Sequence, residues 1–282
     1  MKKVYYLLFL GLSIFLVTAC GRTDESQTEE KYQNDSQVHV FEQMNELPDF
    51  ENEQAVLLNC ACPRSSDGES LSNALEFTKD LADQAAEKQI QHLINISSQS
   101  VYIQSGAEIQ TEQSAPHPVN LYGMAKFTTE KIVQAVAEGA GMAYTNIRLG
   151  SVVSADFDIR MTNRFAQMIK DGQTITVDQG KPMISFIHLE DVAEALAVLM
   201  ENILAGKEAA PLYNLANNEW MTVPELVDLA NEVAAENGYT PATVLTSDKE
   251  SFYNNVCNSD LFYGQQQWQP KHQLRDLLEE LF

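Results

Sequence analysis

The chain has 282 residues, 44% of them hydrophobic, and carries 40 acidic against 18 basic residues for a formal charge of -22. That is enough apolar material for one large domain or two lobes, while so acidic a surface repels phosphate backbones and excludes nucleic acid as a partner. The five histidines have no ligand spacing, which argues against a metal centre, and the four cysteines form no disulfide framework.

Lys2 and Lys3 precede an apolar run from Val4 to Val17, followed by Thr18-Ala19-Cys20. A basic start, a short apolar stretch and small residues before a cut describe an export signal over residues 1–20 rather than a spanning helix. The Val-Thr-Ala-Cys ending resembles the bacterial lipobox. That resemblance implies lipidation at Cys20 and a membrane-anchored lipoprotein outside the cytoplasm, touching the membrane through its anchor only. An ordinary secretory signal and a single anchor helix are the alternatives, and an unused signal would leave the chain in the cytoplasm. Residues 21–37 are polar and acidic and read as a disordered tether.

VHVF at 38–41 alternates as a strand does. AVLLNCAC at 55–62 is continuously apolar and stops at Pro63, as a buried parallel strand does. Cys60 and Cys62 within it read as small core residues. A helix follows over 71–87, then the strand HLINIS. A long loop with Pro116 and Pro118 leads into a helix containing Tyr122, which Gly139 and Gly141 are expected to stop. AYTNIRL at 143–149 is a further strand. Beyond it come a helix closed by Gly172, strands at TITV and ISFIHL, and a helix with acids in its first turn and Gly206 past its end. LYNLA is a short strand, Thr222-Val-Pro-Glu225 a capping box opening a helix that runs to Gly238, and LRDLLEELF a final helix after a polar, aromatic stretch. Strands alternating with helices predict an α/β fold with a parallel sheet. Residues 38–150 are expected to form a partial Rossmann-like domain, and residues 151–282 mainly a smaller substrate-binding lobe.

The chemistry concentrates between Ile94 and Lys126. Ser98 ends an apolar strand, and Tyr122 and Lys126 stand four apart on one helix face. A free tyrosine has a pKa near 10, and a nearby ammonium stabilises its phenolate. Ser98 at the strand end would bond the same substrate oxygen, so the three together would move a proton to or from a hydroxyl. Spacing alone favours a plain amphipathic helix on which Lys126 pairs with Glu130 at a wet face, since Tyr-x-x-x-Lys is common by chance.

INISSQSVY, PVNLYGMAKFTTEKIV, NIRLGSVVS, ISFIHLEDVAEAL and YNLANNEWMTVPELVDLA occur in this order, and with the Trp268-Gln-Pro270-Lys271 end they resemble the extended short-chain dehydrogenase/reductases, the NAD-dependent epimerase/dehydratases. The resemblance covers roughly residues 54 to 282. It implies a Rossmann-like sheet with Ser98, Tyr122 and Lys126 as catalytic residues, Lys126 also binding the nicotinamide ribose of NAD or NADP, and Ala61-Cys62 lying against the cofactor. It further implies a nucleotide-sugar substrate, near Ser100, Ser151 and Arg160, and a homodimer. No metal is implied.

Departures from the family's pattern qualify these expectations. The family opens on a strand and a Gly-x-x-Gly-x-x-Gly turn, but only Gly11 and Gly21 precede Ala61, so the sheet is expected to be incomplete, with VHVF alone left of its first half. Ile103 stands for a glycine, Ser151 for a substrate-contacting asparagine, and Ile184-Ser185 for an Arg-Asp pair. Gln99-Ser100 replaces the Asp-Glu of dehydratases, which favours epimerase or keto-reductase chemistry. Arg148, Arg160 and Arg164 are candidates to contact a diphosphate; the readings weighed against that, and favoured, are a buried ion pair for Arg148 and a solvated helix face for Arg160 and Arg164. The missing turn leaves two other readings open: a lipid-anchored, catalytically silent relative that binds a ligand or partner, and a lipoprotein start joined to a truncated reductase.

Overall fold

The structure, a computed structural model, describes residues 4–9, 38–41 and 54–282 apart from 107, 157–159, 181 and 252, with side chains from Ala55 onward. Cys20 and the acidic tether at 21–37 therefore lie outside the described residues.

Six strands form one parallel sheet: β1 (Val4–Phe9), β2 (Val38–Phe41), β3 (Gln54–Asn59), β4 (His92–Ser98), β5 (Ala143–Leu149) and β10 (Leu212–Leu215). Their spatial order is β10-β5-β4-β3-β1-β2. VHVF is a strand as expected, but it is not alone. Val4–Phe9, read from the sequence as part of an export signal, pairs in parallel with both β2 and β3. The physical reason is that an apolar stretch of this length suits a buried strand as well as it suits an export signal. The chain winds outward from β1 to β2 and then, from β3, in the opposite direction. The carboxyl ends of β1 and β3 thus flank the topological switch point at which open α/β sheets bind ligands.

Strands β3 and β4 are buried on both faces, which is why they are mostly apolar. Along β3, Val56 and Leu58 enter one core with Ile94, Ile96 and Leu199, while Ala55 and Leu57 enter another with Leu81, Ala82 and Val133. The second core lies under α1 (Gly68–Glu87) and α2 (Leu121–Ala140). Asp67 starts α1 by accepting from the Ser70 N–H, and Asn120 starts α2 by accepting from the Gly123 N–H. Gly141, with φ of 69°, ends α2 in the left-handed conformation, whereas Gly139 lies within the helix rather than stopping it.

After β6 (Ser151–Val153) the chain builds a smaller lobe from α3 (Met161–Lys170), β7 (Ile175–Gln179), β8 (Met183–Ile184) and β9 (Phe186–His188). Then α4 (Leu189–Leu204) returns to the main sheet, against which Val192, Leu196 and Leu199 are buried. After β10, β11 (Met221–Thr222) leads into α5 (Val223–Glu236), which opens on the expected capping box between Thr222 and Glu225. The lobe has its own core, with Ile169, Ile175, Leu226, Val233 and Leu277 in contact. Two elements absent from the sequence reading follow, the exposed strand β12 (Val244–Glu250) and the seven-residue α6 (Asp260–Gln266), before α7 (Leu274–Leu281). Among the described residues no helix is long and apolar enough to cross a membrane.

Candidate active site at the carboxyl ends of β3 and β4

Ser98 is the last residue of β4, and its hydroxyl accepts from the Ser100 N–H at 3.1 Å, capping a 3-10 turn over Gln99–Val101. That turn is the seat of α2. An ideal Cβ built on Gly123 would lie 2.3 Å from the Ser100 carbonyl oxygen, so only glycine allows the start of α2 to sit this close to the end of β4. Tyr122 and Lys126 are thereby held over the strand end that carries Ser98. Gly123→Ala is expected to push the helix start away from the turn, costing about 1–3 kcal/mol. Urea denaturation of the variant, alongside turnover, checks both the cost and the loss of alignment.

Lys126 is not on a wet face. It is 3% exposed, donates to the Ile96 carbonyl at 2.7 Å, and lies 5.9 Å from the centre of the Tyr122 ring. Burial works against the charged ammonium, but the surrounding Cys62, Tyr122 and Cys60 side chains more than offset it, leaving the lysine pKa raised. The same environment raises the Cys60 thiol to about 12 through desolvation, with Lys126 pulling the other way. The neighbouring cysteine is therefore a neutral thiol at physiological pH rather than a competing nucleophile.

Glu130, the residue the wet-face reading pairs with Lys126, instead meets Arg148 of β5. Arg148 Nε donates to Glu130 Oε1 at 2.9 Å and Nη2 to Oε2 at 2.8 Å, both residues being buried. Ser97 adds a hydroxyl bond to the same carboxylate at 2.5 Å, and the guanidinium lies 4.6 Å from the Tyr102 ring centre. Burial disfavours the Arg148 charge, and the Glu130 carboxylate outweighs it. Arg148 makes the buried ion pair weighed for it, and it ties α2 to the sheet. Beneath this pair a row of buried amides crosses three strands, Asn59 donating to Asn95 at 3.0 Å and Asn95 to Asn146 at 2.9 Å. Asn59 also accepts from the Ala61 N–H, shaping the chain as it leaves β3.

Ser98, Tyr122 and Lys126 line one cavity of about 420 Å³ together with Cys60, Cys62 and Ser100. Ala61, expected beside them, is buried and does not line it. A second cavity of about 530 Å³ opens in the small lobe, lined by Arg164, Phe165 and Phe186 among others. Arg64, Ser151, Arg160, Tyr253 and Asn255 line both, so the two spaces adjoin. Ser151 and Arg160 were expected at a substrate site, and Arg164 was weighed as a contact. Arg64, Tyr253 and Asn255 were not foreseen. Asn255 arrives through a bridge to Ile184 and donates to the Ser151 hydroxyl at 2.9 Å, as does Gln99 at 3.1 Å. Three arginines at these cavities form a locally basic mouth in an otherwise acidic protein.

The arrangement fits the nicotinamide end of a dinucleotide: Lys126 reaches the cavity beside Tyr122 and Ser98, with the end of β3 as the facing wall. The pyrophosphate end would face the residues following β1, which lie outside the described residues and lack the glycine turn.

Comparison with known proteins agrees with this fold. Among solved structures, UDP-N-acetylglucosamine 4-epimerase from Bacillus cereus superposes with a TM-score of 0.74 at 15% identity, covering 99% of this chain and 95% of that one. UDP-glucose 4-epimerase from Thermotoga maritima, solved with UDP-glucose, gives 0.70 at 16% identity, covering 98% and 96%. UDP-glucuronic acid 4-epimerase from Bacillus cereus, solved with UDP-glucuronic acid and NAD, gives 0.73 at 14% identity, covering 97% and 96%. At these identities the likeness establishes the fold. In sequence, UDP-D-apiose/UDP-D-xylose synthase 2 from Arabidopsis thaliana is 26% identical over 183 residues, 56% of this chain and 46% of that protein. An uncharacterized 37.6 kDa protein from Escherichia coli O111:H- is 30% identical over 118 residues, 40% of this chain and 35% of that one. The chain thus spans less than half the length of these two curated relatives. The family model for the NAD dependent epimerase/dehydratases matches residues 27–216, which include Ser98, Tyr122 and Lys126. The chain belongs to the NAD dependent epimerase/dehydratase family.

Proposed function

We propose that this protein interconverts nucleotide-linked sugars by epimerase or keto-reductase chemistry, with Ser98, Tyr122 and Lys126 handling the proton. The observation that carries this reading is the buried Lys126, held by the Ile96 carbonyl beside Tyr122 in the same cavity as Ser98. Tyr122 takes the proton of a sugar hydroxyl as the carbon is oxidised and returns one as it is reduced. The Lys126 charge stabilises the phenolate that accepts this proton and that is left when the proton is returned, and the Ser98 hydroxyl holds the same sugar oxygen. A nicotinamide cofactor, NAD or NADP, supplies hydride exchange at the adjoining carbon when bound. Lys126 and Cys62 would hold its nicotinamide ribose end. Arg64, Arg160 and Arg164 supply positive charge for a diphosphate, and the apolar walls at Phe165 and Phe186 accept a base. Incubation with UDP-glucose, UDP-N-acetylglucosamine or UDP-glucuronic acid and NAD, followed by NMR, should show a new epimer or keto product. No conversion of any nucleotide sugar, with either cofactor, contradicts the reading.

One observation favours a second reading, a silent relative that binds such ligands without turnover. Gly11 and Gly21 are the only glycines before Gly68, so the turn on which the family's pyrophosphate rests is absent from the sequence. Binding of UDP without cofactor binding would mark that outcome.

Export with lipidation at Cys20 is a separate proposal, and it competes with the fold for the same residues. A chain cut before Cys20 has lost β1. Intact mass spectrometry separates the cases: a lipid-bearing chain starting at Cys20 supports the anchor, and an unprocessed chain in the soluble fraction refutes it.

A further inference from the structure

The histidines have no ligand spacing along the sequence, but the fold brings two of them together outside both cavities. His188 ends β9 and caps α4, and His272 lies in the turn before α7; their ring centres are 4.3 Å apart. Glu190, in the first turn of α4, places a carboxylate oxygen 3.6 Å from His272 Nε2. Glu280 of α7 places another 3.9 Å from His188 Nε2. His188 is 8% exposed, and its Nε2 has no hydrogen-bond partner among the described residues, an unusual state for a buried ring nitrogen. The sequence did not reveal the group because its members sit on elements that meet only through the packing of the small lobe.

We propose that His188, Glu190 and His272 bind a divalent transition-metal ion of the zinc class, with Glu280 within reach as a fourth ligand. Ligand atoms of the first three lie within 4.8 Å of one another. A tetrahedral zinc site with bonds of about 2.0–2.1 Å draws its ligand atoms closer than that, and the exposed Glu190 and Glu280 carboxylates are free to swing inward. Two imidazoles with carboxylates select zinc, nickel or copper over magnesium or calcium.

The arrangement behind His272 is that of a supported metal ligand. Asp191, 1% exposed, lies 3.0 Å from His272 Nδ1 and accepts from the Lys271 and His272 backbone N–H groups. It holds the ring proton on Nδ1 and leaves the Nε2 lone pair facing Glu190. Two terms oppose loading. The helix dipole at the start of α4 disfavours a cation, which the carboxylates of Glu190, Asp191 and Glu280 offset. His188 Nδ1 accepts from the Glu190 N–H at 3.3 Å, and that long bond is given up when Nε2 takes the metal and Nδ1 the proton. A bound ion joins the start of α4 to the end of the chain, a structural staple rather than part of the reaction.

The test uses the full chain and zinc chloride followed by calorimetry, with cobalt as a coloured probe. One equivalent of zinc should bind, and cobalt should give the visible absorption of a tetrahedral site. His272→Gln should abolish both, and Asp191→Asn should weaken zinc binding about 10–100-fold. His188→Asn keeps a capping side chain and should also abolish binding while circular dichroism stays unchanged. No binding at millimolar zinc overturns the proposal. So does unchanged stoichiometry and affinity in the folded His188→Asn/His272→Gln double variant, which would place the ion elsewhere on the acidic surface. None of these readouts depends on turnover or on the nucleotide-sugar reading.

Discussion

Tyr122→Phe is expected to fold as the parent does, bind cofactor with unchanged affinity and lose turnover by about 10²–10⁴-fold. The substitution removes one hydroxyl and leaves the ring over Lys126. The ring is half-buried in the first turn of α2, and the seat of that turn on Ser100 depends on Gly123 and Asn120 rather than on the phenol. Only the proton path is cut. Lys126→Met should behave differently. It removes the charge that stabilises the phenolate and the group expected to hold the nicotinamide ribose, so turnover and cofactor affinity fall together. Steady-state kinetics with fluorescence titration of NADH separates the two patterns. Full turnover in Tyr122→Phe would remove the tyrosine from its role.

Glu130→Ala should destabilise the protein by about 3–5 kcal/mol, because it leaves the Arg148 guanidinium buried without its carboxylate. Arg148 is 3% exposed and makes two bonds to Glu130, so water cannot replace the lost partner without opening the contact between α2 and the sheet. Removing both charges in Glu130→Met/Arg148→Met should cost far less than either single change, since the penalty comes from the charge left behind. Midpoints of urea denaturation for the three variants provide the check. Equal losses in the single and double variants would show that packing, not the ion pair, dominates at this position. As Glu130 lies one turn beyond Lys126, the single variant should also loosen the lysine and reduce turnover.

The main sheet was legible because its strands obey one constraint. AVLLN, HLINIS and the inner half of AYTNIRL are covered on both faces, so apolar residues dominate them and the buried polar ones, such as Asn95, Asn146 and Arg148, are hydrogen-bonded. Helix ends were legible where a side chain or glycine does local work, as with Thr222 and Glu225 at α5 or Gly141 after α2. The elements missed lack such signals. Val244–Glu250 is an exposed strand of mostly polar residues, and α6 has seven residues, too short to establish a helical period. Val4–Phe9 was ambiguous for a physical reason, since an inner strand of a sheet and an export signal both draw on a run of apolar residues.

The set of Ser98, Tyr122 and Lys126 was legible because Tyr122 and Lys126 are neighbours on one helix and Ser98 sits at a strand end. The substrate side was only half visible. Ser151 and Arg160 follow closely on β5 in sequence, whereas Tyr253 and Asn255 reach the cavity through bridges to Ser105 and Ile184, contacts that no local pattern encodes. Gly123 stood in plain view in the Tyr-Gly-Met-Ala-Lys run, but its necessity appears only when the Ser100 carbonyl is placed against it.

The account rests on one claim, that the Ser98, Tyr122 and Lys126 set serves a bound nicotinamide cofactor despite the missing glycine turn. Titration of the full-length chain with NADH, and separately NADPH, followed by fluorescence and calorimetry, tests it most directly. The account predicts saturable one-to-one binding in the micromolar range that Lys126→Met weakens. No binding of either cofactor at millimolar concentration, by a chain shown to be folded, would contradict it.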